Sequence, residues 1–201
     1  MVVHLDHATD ASLVDEAIEL GFGSVMFDAS RMPYAENVAA TAEIVRRCHD
    51  RGLDVEAELG EIGGKDGVHA PGARTEPEEA RAFVEATGLD ALAVAVGTSH
   101  SMTERHVALD LELISALRAA VPVPLVLHGS SGVPDQELLR AVAAGMTKIN
   151  IATHLNHVFT DAVRDVLAAN PAMVDSRRYL GPARKAVAVE AARLLRMFRD
   201  L

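Results

Sequence analysis

Six short apolar runs recur along the chain, and the segments between them carry apolar residues at helical spacing. The runs are V-V-H-L-D-H, S-V-M-F-D, V-E-A-E-L, A-L-A-V-A-V, P-L-V-L-H and T-K-I-N-I. Most are near-continuously apolar rather than alternating, which implies burial on both faces and hence a parallel sheet covered by helices. Helix signals fall between the runs. Asp10 or Ser12 can cap a first helix through A-I-E-L, and Gly21 stops it. A second helix starts near Pro33 and runs through Val45 to Gly52; a third starts at Thr75, Pro77 and Glu78 and ends at Gly88. Later helices are expected to end near Val121, to span Pro134 to Gly145 and Thr153 to Ala169, and to cover Arg178 to Phe198. Two stretches break the rhythm. G-E-I-G-G-K-D-G-V-H-A-P-G-A-R-T is too long and glycine-rich for a minimal connector and reads as a mobile active-site loop, and T-S-H-S-M-T-E-R-H-V is irregular.

The alternation is that of a (β/α)8 TIM barrel, here incomplete, with six parallel strands in a single domain over residues 1–201. Barrel closure needs two more strand–helix units than the pattern supplies. Either the sheet stays open or the sequence lacks an amino-terminal portion. An open sheet would leave the strands carrying Asp6 and Asn150 as edges, which favours association and costs the isolated chain stability and activity.

Composition narrows the function. A length of 201 residues with 49% hydrophobic suits one core. The net charge of −10 argues against nucleic acid, whose phosphates need a basic surface. The lone Cys48 excludes an intrachain disulfide and fits a reducing cytoplasm. Every apolar run is interrupted before membrane-spanning length, and M-V-V-H-L-D-H is no secretory signal. A cytoplasmic enzyme is expected, with no membrane partner.

The ends of the runs carry the chemistry. Asp6 and His7, Asp28, Glu58, His100, His128, and Asn150 with Thr153 each follow an apolar stretch. Carboxyl ends of parallel strands form the active face of such barrels. His7, His100 and His128 can converge on one zinc, leaving a coordination position for water or substrate. Asp6, beside a ligand, is the acid/base candidate. Asp28 and Glu58 read as a second, looser divalent-metal site, as partners of the ligands, or as carboxylates bonding loop amides. H-G-S-S-G (128–132) and N-I-A-T (150–153) look like a phosphate cradle, in which glycine allows close approach, Ser131 and Thr153 donate, and a helix amino terminus favours an anion. His4, three positions from His7 on an extended strand, should face the other way and pack. His49, His69, His106, His154 and His157 default to solvent.

L-D-H, V-E-A-E-L-G-E-I-G-G, A-V-A-V-G-T-S-H, P-L-V-L-H-G-S-S-G-V-P, K-I-N-I-A-T and D-S-R-R-Y-L-G-P-A-R together resemble the class II, zinc-dependent ketose-bisphosphate aldolases, in consistent order from Val2 to Phe198. The resemblance implies a zinc-bearing (β/α)8 barrel that reversibly cleaves fructose or tagatose 1,6-bisphosphate to dihydroxyacetone phosphate and glyceraldehyde 3-phosphate. A phosphorylated deoxy-ketoacid is a further substrate within the family. By motif it implies His7, His100 and His128 as zinc ligands, Asp6 as proton donor, and Asp28 with Glu58 at a second metal position. Gly129, Ser130, Ser131, Asn150, Ile151, Ala152 and Thr153 match the substrate-phosphate site. Asp66, in G-G-K-D-G, is the nearest carboxylate to move the proton at the carbanion carbon. Arg184 is the candidate for the arginine that reaches the second phosphate from a neighbouring subunit, and a homo-oligomer is implied. The chain departs from the family at Ser101, where relatives have glycine, and in starting about two strand–helix units late. Two other readings stand beside this one: a metal-dependent hydrolase on the same barrel, weakened by the lack of a first-strand H-x-H pair, and a chain acting only through association.

Overall fold

A computed structural model describes residues 2–59, 74–98 and 105–199. Among them the chain alternates β1 (His4–Ala8), α1 (Ala11–Glu19), β2 (Ser24–Phe27), α2 (Tyr34–His49), β3 (Asp54–Glu58), α3 (Pro77–Thr87), β4 (Ala91–Ala93), α4 (Leu111–Ala120), β5 (Leu125–Leu127), a 3₁₀ turn (Ser130–Gly132), α5 (Asp135–Ala144), β6 (Met146–Ile149), α6 (Thr153–Ala169) and α7 (Ser176–Arg199). The strands form one sheet in the order β1-β2-β3-β4-β5-β6, every neighbouring pair parallel. This is the expected half-barrel of six strands. Among the described residues β1 and β6 are its edges.

The two faces of the sheet are unequal. Val25, Phe27, Val55, Ala57, Leu92, Leu125 and Leu127 pack against Val14, Ile44, Phe83, Ile114, Leu117 and Leu138 of the helices in the main core. The alternate strand positions point the other way, as period-two geometry requires. There, among the described residues, Met26, Ala93 and Val126, with Ala91 against them, make a small apolar cluster. Polar side chains, Glu56 foremost, occupy the rest of that face, so the inside of the half-barrel is mostly a polar surface.

Local signals explain most boundaries. Asp10, not Ser12, caps α1, accepting from the Ser12 amide at 2.8 Å. Gly88 closes α3 at φ 69°, a left-handed turn that costs glycine nothing. Thr75 does not start α3. Its amide donates to Ala95 O and its Oγ1 accepts from Ala95 N, at 3.0 and 2.8 Å, so the side chain acts as a piece of neighbouring strand. The A-L-A-V-A-V run is regular strand only over Ala91–Ala93. Helix α7 begins two residues earlier than the pattern suggested, because the Asp175 carboxylate accepts from the Arg177 amide at 3.1 Å. Helices α6 and α7 pack chiefly on each other. No helix among the described residues is long and apolar enough to cross a membrane.

Candidate active site

His7 is the conformational anomaly of the described chain, the one non-glycine residue with positive φ, at 50°. The pairing of β1 with β2 slips between Leu5 and Ala8 at the same place. In a regular strand Asp6 and His7 would face opposite ways. The irregularity turns both into the same cleft, which Asp6, His7 and His128 line together. It also overturns the expectation for His4. That ring does not pack on the opposite side: its Nε2 lies 3.8 Å from both Asp6 Oδ1 and Glu56 Oε2, and its Nδ1 meets Ser24 Oγ at 2.8 Å. Burial, then the Lys148 charge, lowers its pKa.

Asp28 follows β2 and is anchored by its own amide, which donates to Ala8 O at 2.8 Å. Its Oδ2 lies 2.9 Å from His7 Nδ1, while Oδ1 accepts from Ser30 Oγ at 2.6 Å and from the Ser30 amide at 3.2 Å. The carboxylate therefore holds the His7 ring. Glu58 ends β3 fully buried, and its carbonyl accepts from Asn37 Nδ2, which Thr41 supports in turn. His7, Asp28 and Glu58 offer ligand atoms all within 4.8 Å of one another, and so do Asp6, His7 and His128.

His128 follows β5 and is 1% exposed in its side chain. Its Nε2 donates to Glu56 Oε1 at 2.7 Å, and Lys148 Nζ donates to the other Glu56 oxygen at 2.6 Å. Burial pushes the Glu56 carboxyl up, but the hydrogen bond from His128 and the Lys148 charge outweigh it, leaving the net shift downward. The His7 and His128 rings meet edge to face at 4.7 Å, inclined by 75°. Asn150 Nδ2 donates to Asp6 Oδ1 at 3.3 Å and lies 3.3 Å from His128 Nε2, so it bridges the two edge regions of the sheet.

The glycine–hydroxyl segment completes the cleft. Gly129 at φ 66° turns the chain into the 3₁₀ segment. Ser130 Oγ donates to Asn150 O at 2.5 Å, and Ser131 Oγ accepts from the His154 amide at 3.0 Å in the first turn of α6. The cleft holds about 140 Å³ and is lined by Asp6, His7, His128, Gly129, Ser130, Ser131, Asn150, Ala152 and Thr153. Ile151 is not among the lining residues. Arg184 sits exposed on α7. His100 and Asp66 lie outside the described residues, as do Ser101 and His69.

Glu56, Lys148 and Ser30 lie outside the strand-end pattern, and His4, expected to pack away from the site, stands beside Asp6 and Glu56. Two of the histidines expected to face solvent have partners: His49 pairs with Asp90 at 2.8 Å and His154 with Glu190 at 2.7 Å. A signal for Glu56 existed. It sits mid-strand two positions before Glu58, on the same face, where a charge is tolerated only if paired.

The donor set fits a divalent ion. Two imidazoles and neighbouring carboxylates converge, and each imidazole is held at a second nitrogen by a carboxylate, the arrangement that orients metal-bound histidine. The profile described as fructose-bisphosphate aldolase class-II matches residues 1–200. Among solved structures, the YdjI aldolase of Escherichia coli K12 is 36% identical, with a TM-score of 0.83 over 98% of this chain and 69% of that one. A putative fructose-1,6-bisphosphate aldolase from Coccidioides immitis is 32% identical, with a TM-score of 0.81 over 98% and 71%. The fructose-bisphosphate aldolase of Campylobacter jejuni is 26% identical, with a TM-score of 0.76 over 100% and 70%.

Proposed function

The chain belongs to the class II fructose-bisphosphate aldolase family, and from that premise we propose a zinc-dependent aldolase that cleaves fructose 1,6-bisphosphate, or its C4 epimer tagatose 1,6-bisphosphate. The observation that carries the reading is the joining of His7, His128 and Asp6 with the Gly129–Ser131 and Asn150–Thr153 segments around one cleft. His7 and His128, with His100, would hold the ion; Asp28 holds His7, and Asp28 with Glu58 is the candidate position for a second divalent ion. An ion bound there supplies Lewis acidity toward the substrate carbonyl oxygen.

The remaining work falls to the chain. Ser131, Thr153 and the amides at the start of α6 bind the phosphate of the dihydroxyacetone phosphate half, where the helix dipole favours an anion. In cleavage Asp6 takes the proton of the C4 hydroxyl as the C3–C4 bond breaks. The electron pair of that bond passes to C3, and glyceraldehyde 3-phosphate departs as the aldehyde. Asp66 then returns a proton to C3, giving dihydroxyacetone phosphate, and synthesis runs the same steps backward. Asn150, donating to Asp6, orients the carboxylate for both directions.

The test uses the zinc-loaded chain and two readouts. Cleavage of either ketose bisphosphate should be abolished by a chelator and unaffected by borohydride. Exchange of a C3 proton of dihydroxyacetone phosphate with deuterated solvent, followed by NMR, reports the half-reaction even if turnover is slow. A chain that takes up no zinc and supports neither process would refute the reading. Cleavage lost to borohydride would point to amine chemistry instead.

A further inference from the structure

The inner face of the half-barrel contains a charged column that the reaction does not consume. Glu56 sits at mid-height of that face on β3, 3% exposed, with both carboxylate oxygens engaged. One accepts from His128 Nε2 and the other from Lys148 Nζ on the edge strand β6, at 2.7 and 2.6 Å. A buried carboxylate is costly unless paired, so its presence in a position flanked by Val55 and Ala57 calls for a role.

We propose that Glu56, held in place by Lys148, is the positioning residue that fixes His128 in the form a metal ligand requires. A carboxylate only accepts, so the 2.7 Å contact places the ring proton on Nε2. In the neutral ring the lone pair is thereby assigned to Nδ1, and the ring cannot flip without surrendering a short, charge-assisted hydrogen bond. Asp28 does the same for His7 through Nδ1, so the two histidines are held through opposite nitrogens. Lys148 belongs to the device because it engages the second oxygen. Without it the Glu56 carboxylate would be free to rotate away from His128. The column therefore links β3, β5 and β6, and ligand geometry depends on a strand that carries no ligand.

This assignment rests on the metal-site reading above, and the experiment separates the two. In the metal-free full chain labelled with ¹⁵N-histidine, the His128 ring proton should reside on Nε2, resonate far downfield and exchange slowly with solvent. Glu56→Leu combined with Lys148→Met removes the pair without leaving a lone buried charge, and should keep the circular dichroism of the parent. In that variant the downfield signal should vanish and zinc affinity, by competition with a chelating dye, should fall about 10–100-fold, the range for loss of such a supporting carboxylate. Glu56→Gln, whose amide oxygen still accepts, should restore the Nε2 proton and much of the affinity. A ring proton on Nδ1 in the parent chain would overturn the proposal without recourse to any variant. Unchanged zinc affinity in the folded double variant would overturn it as well. A parent chain that shows the slow Nε2 proton yet takes up no zinc would instead count against the metal site and leave the hydrogen bond standing.

Discussion

At the scale of single residues, His7 carries both strain and chemistry. Its φ of 50° lies where a side chain costs about 1–2 kcal/mol and glycine costs nothing. Both His7→Ala and His7→Gly should lose zinc, but the glycine variant should be the more stable by about that amount in urea denaturation. Equal stabilities would mean the backbone there is relaxed. His128→Ala should likewise abolish zinc retention, whereas His49→Ala, which disturbs only the exposed pair with Asp90, should leave metal content unchanged. Asp6→Ala should retain zinc and lose turnover by about 10²–10⁴, the span of general acid–base assistance. Near-normal turnover would reduce Asp6 to a bystander. The pattern of strand ends singles out Asp6, His7 and His128, each following an apolar run at the carboxyl end of a strand, and the structure brings the three to one cleft. It was not enough to find how His7 reaches the cleft. Regular alternation predicts the opposite face, and nothing in L-D-H announces a positive φ. Glu56 was missed for a related reason: its partners His128 and Lys148 come from strands 72 and 92 residues further on.

At the scale of elements, helix boundaries were the more legible part, because caps are local chemistry. Asp10 and Gly88 act within their own turns, and α6 spans the residues its spacing predicted. Thr75 was misread because its partner, Ala95, is a tertiary neighbour. Helix α7 is tied to α5 by Arg193, which donates to Asp135 at 2.6 Å and to Glu190 at 2.7 Å, and to α6 by the His154–Glu190 pair. The hydrogen bond from Arg193, opposed by partial burial and aided by His154, brings the Glu190 carboxyl from its ordinary 4.5 down to about 2. A depressed carboxylate stabilises the fold above its unfolded pKa and loses that contribution as pH falls through the folded value. Arg193→Met should therefore lower the melting temperature near neutral pH, by about 2–4 °C at most for so exposed a network. The gap between variant and parent should close as pH falls from 4.5 toward about 2. A gap that is constant across that range would show that packing of the arginine stem, not its charge, accounts for the loss.

At the scale of the whole molecule, the six-strand count and the parallel order were readable because each run repeats the same apolar-then-polar punctuation. The edges follow from that count, and among the described residues β1 and β6 accordingly end the sheet. Their outward backbone groups invite pairing with another chain. The chain should therefore associate as concentration rises, with a melting temperature that climbs in parallel, checked by sedimentation and scanning calorimetry. A monodisperse monomer with a concentration-independent transition would show that the edges are adequately shielded by their own side chains. Strand order identical to chain order has a kinetic consequence too. Each strand pairs with the one just before it, so every pairing in the sheet closes a crossover far shorter than the whole chain, as from His4 to Ser24 or from Leu125 to Met146. The contact from Asn150 to Asp6, 144 residues apart, belongs to another class. It cannot form until the last strand has been added, however much of the sheet already stands. The join between the two ends of the sheet at this cleft should thus be the final thing the chain acquires as it folds, and the first it forfeits when either end frays.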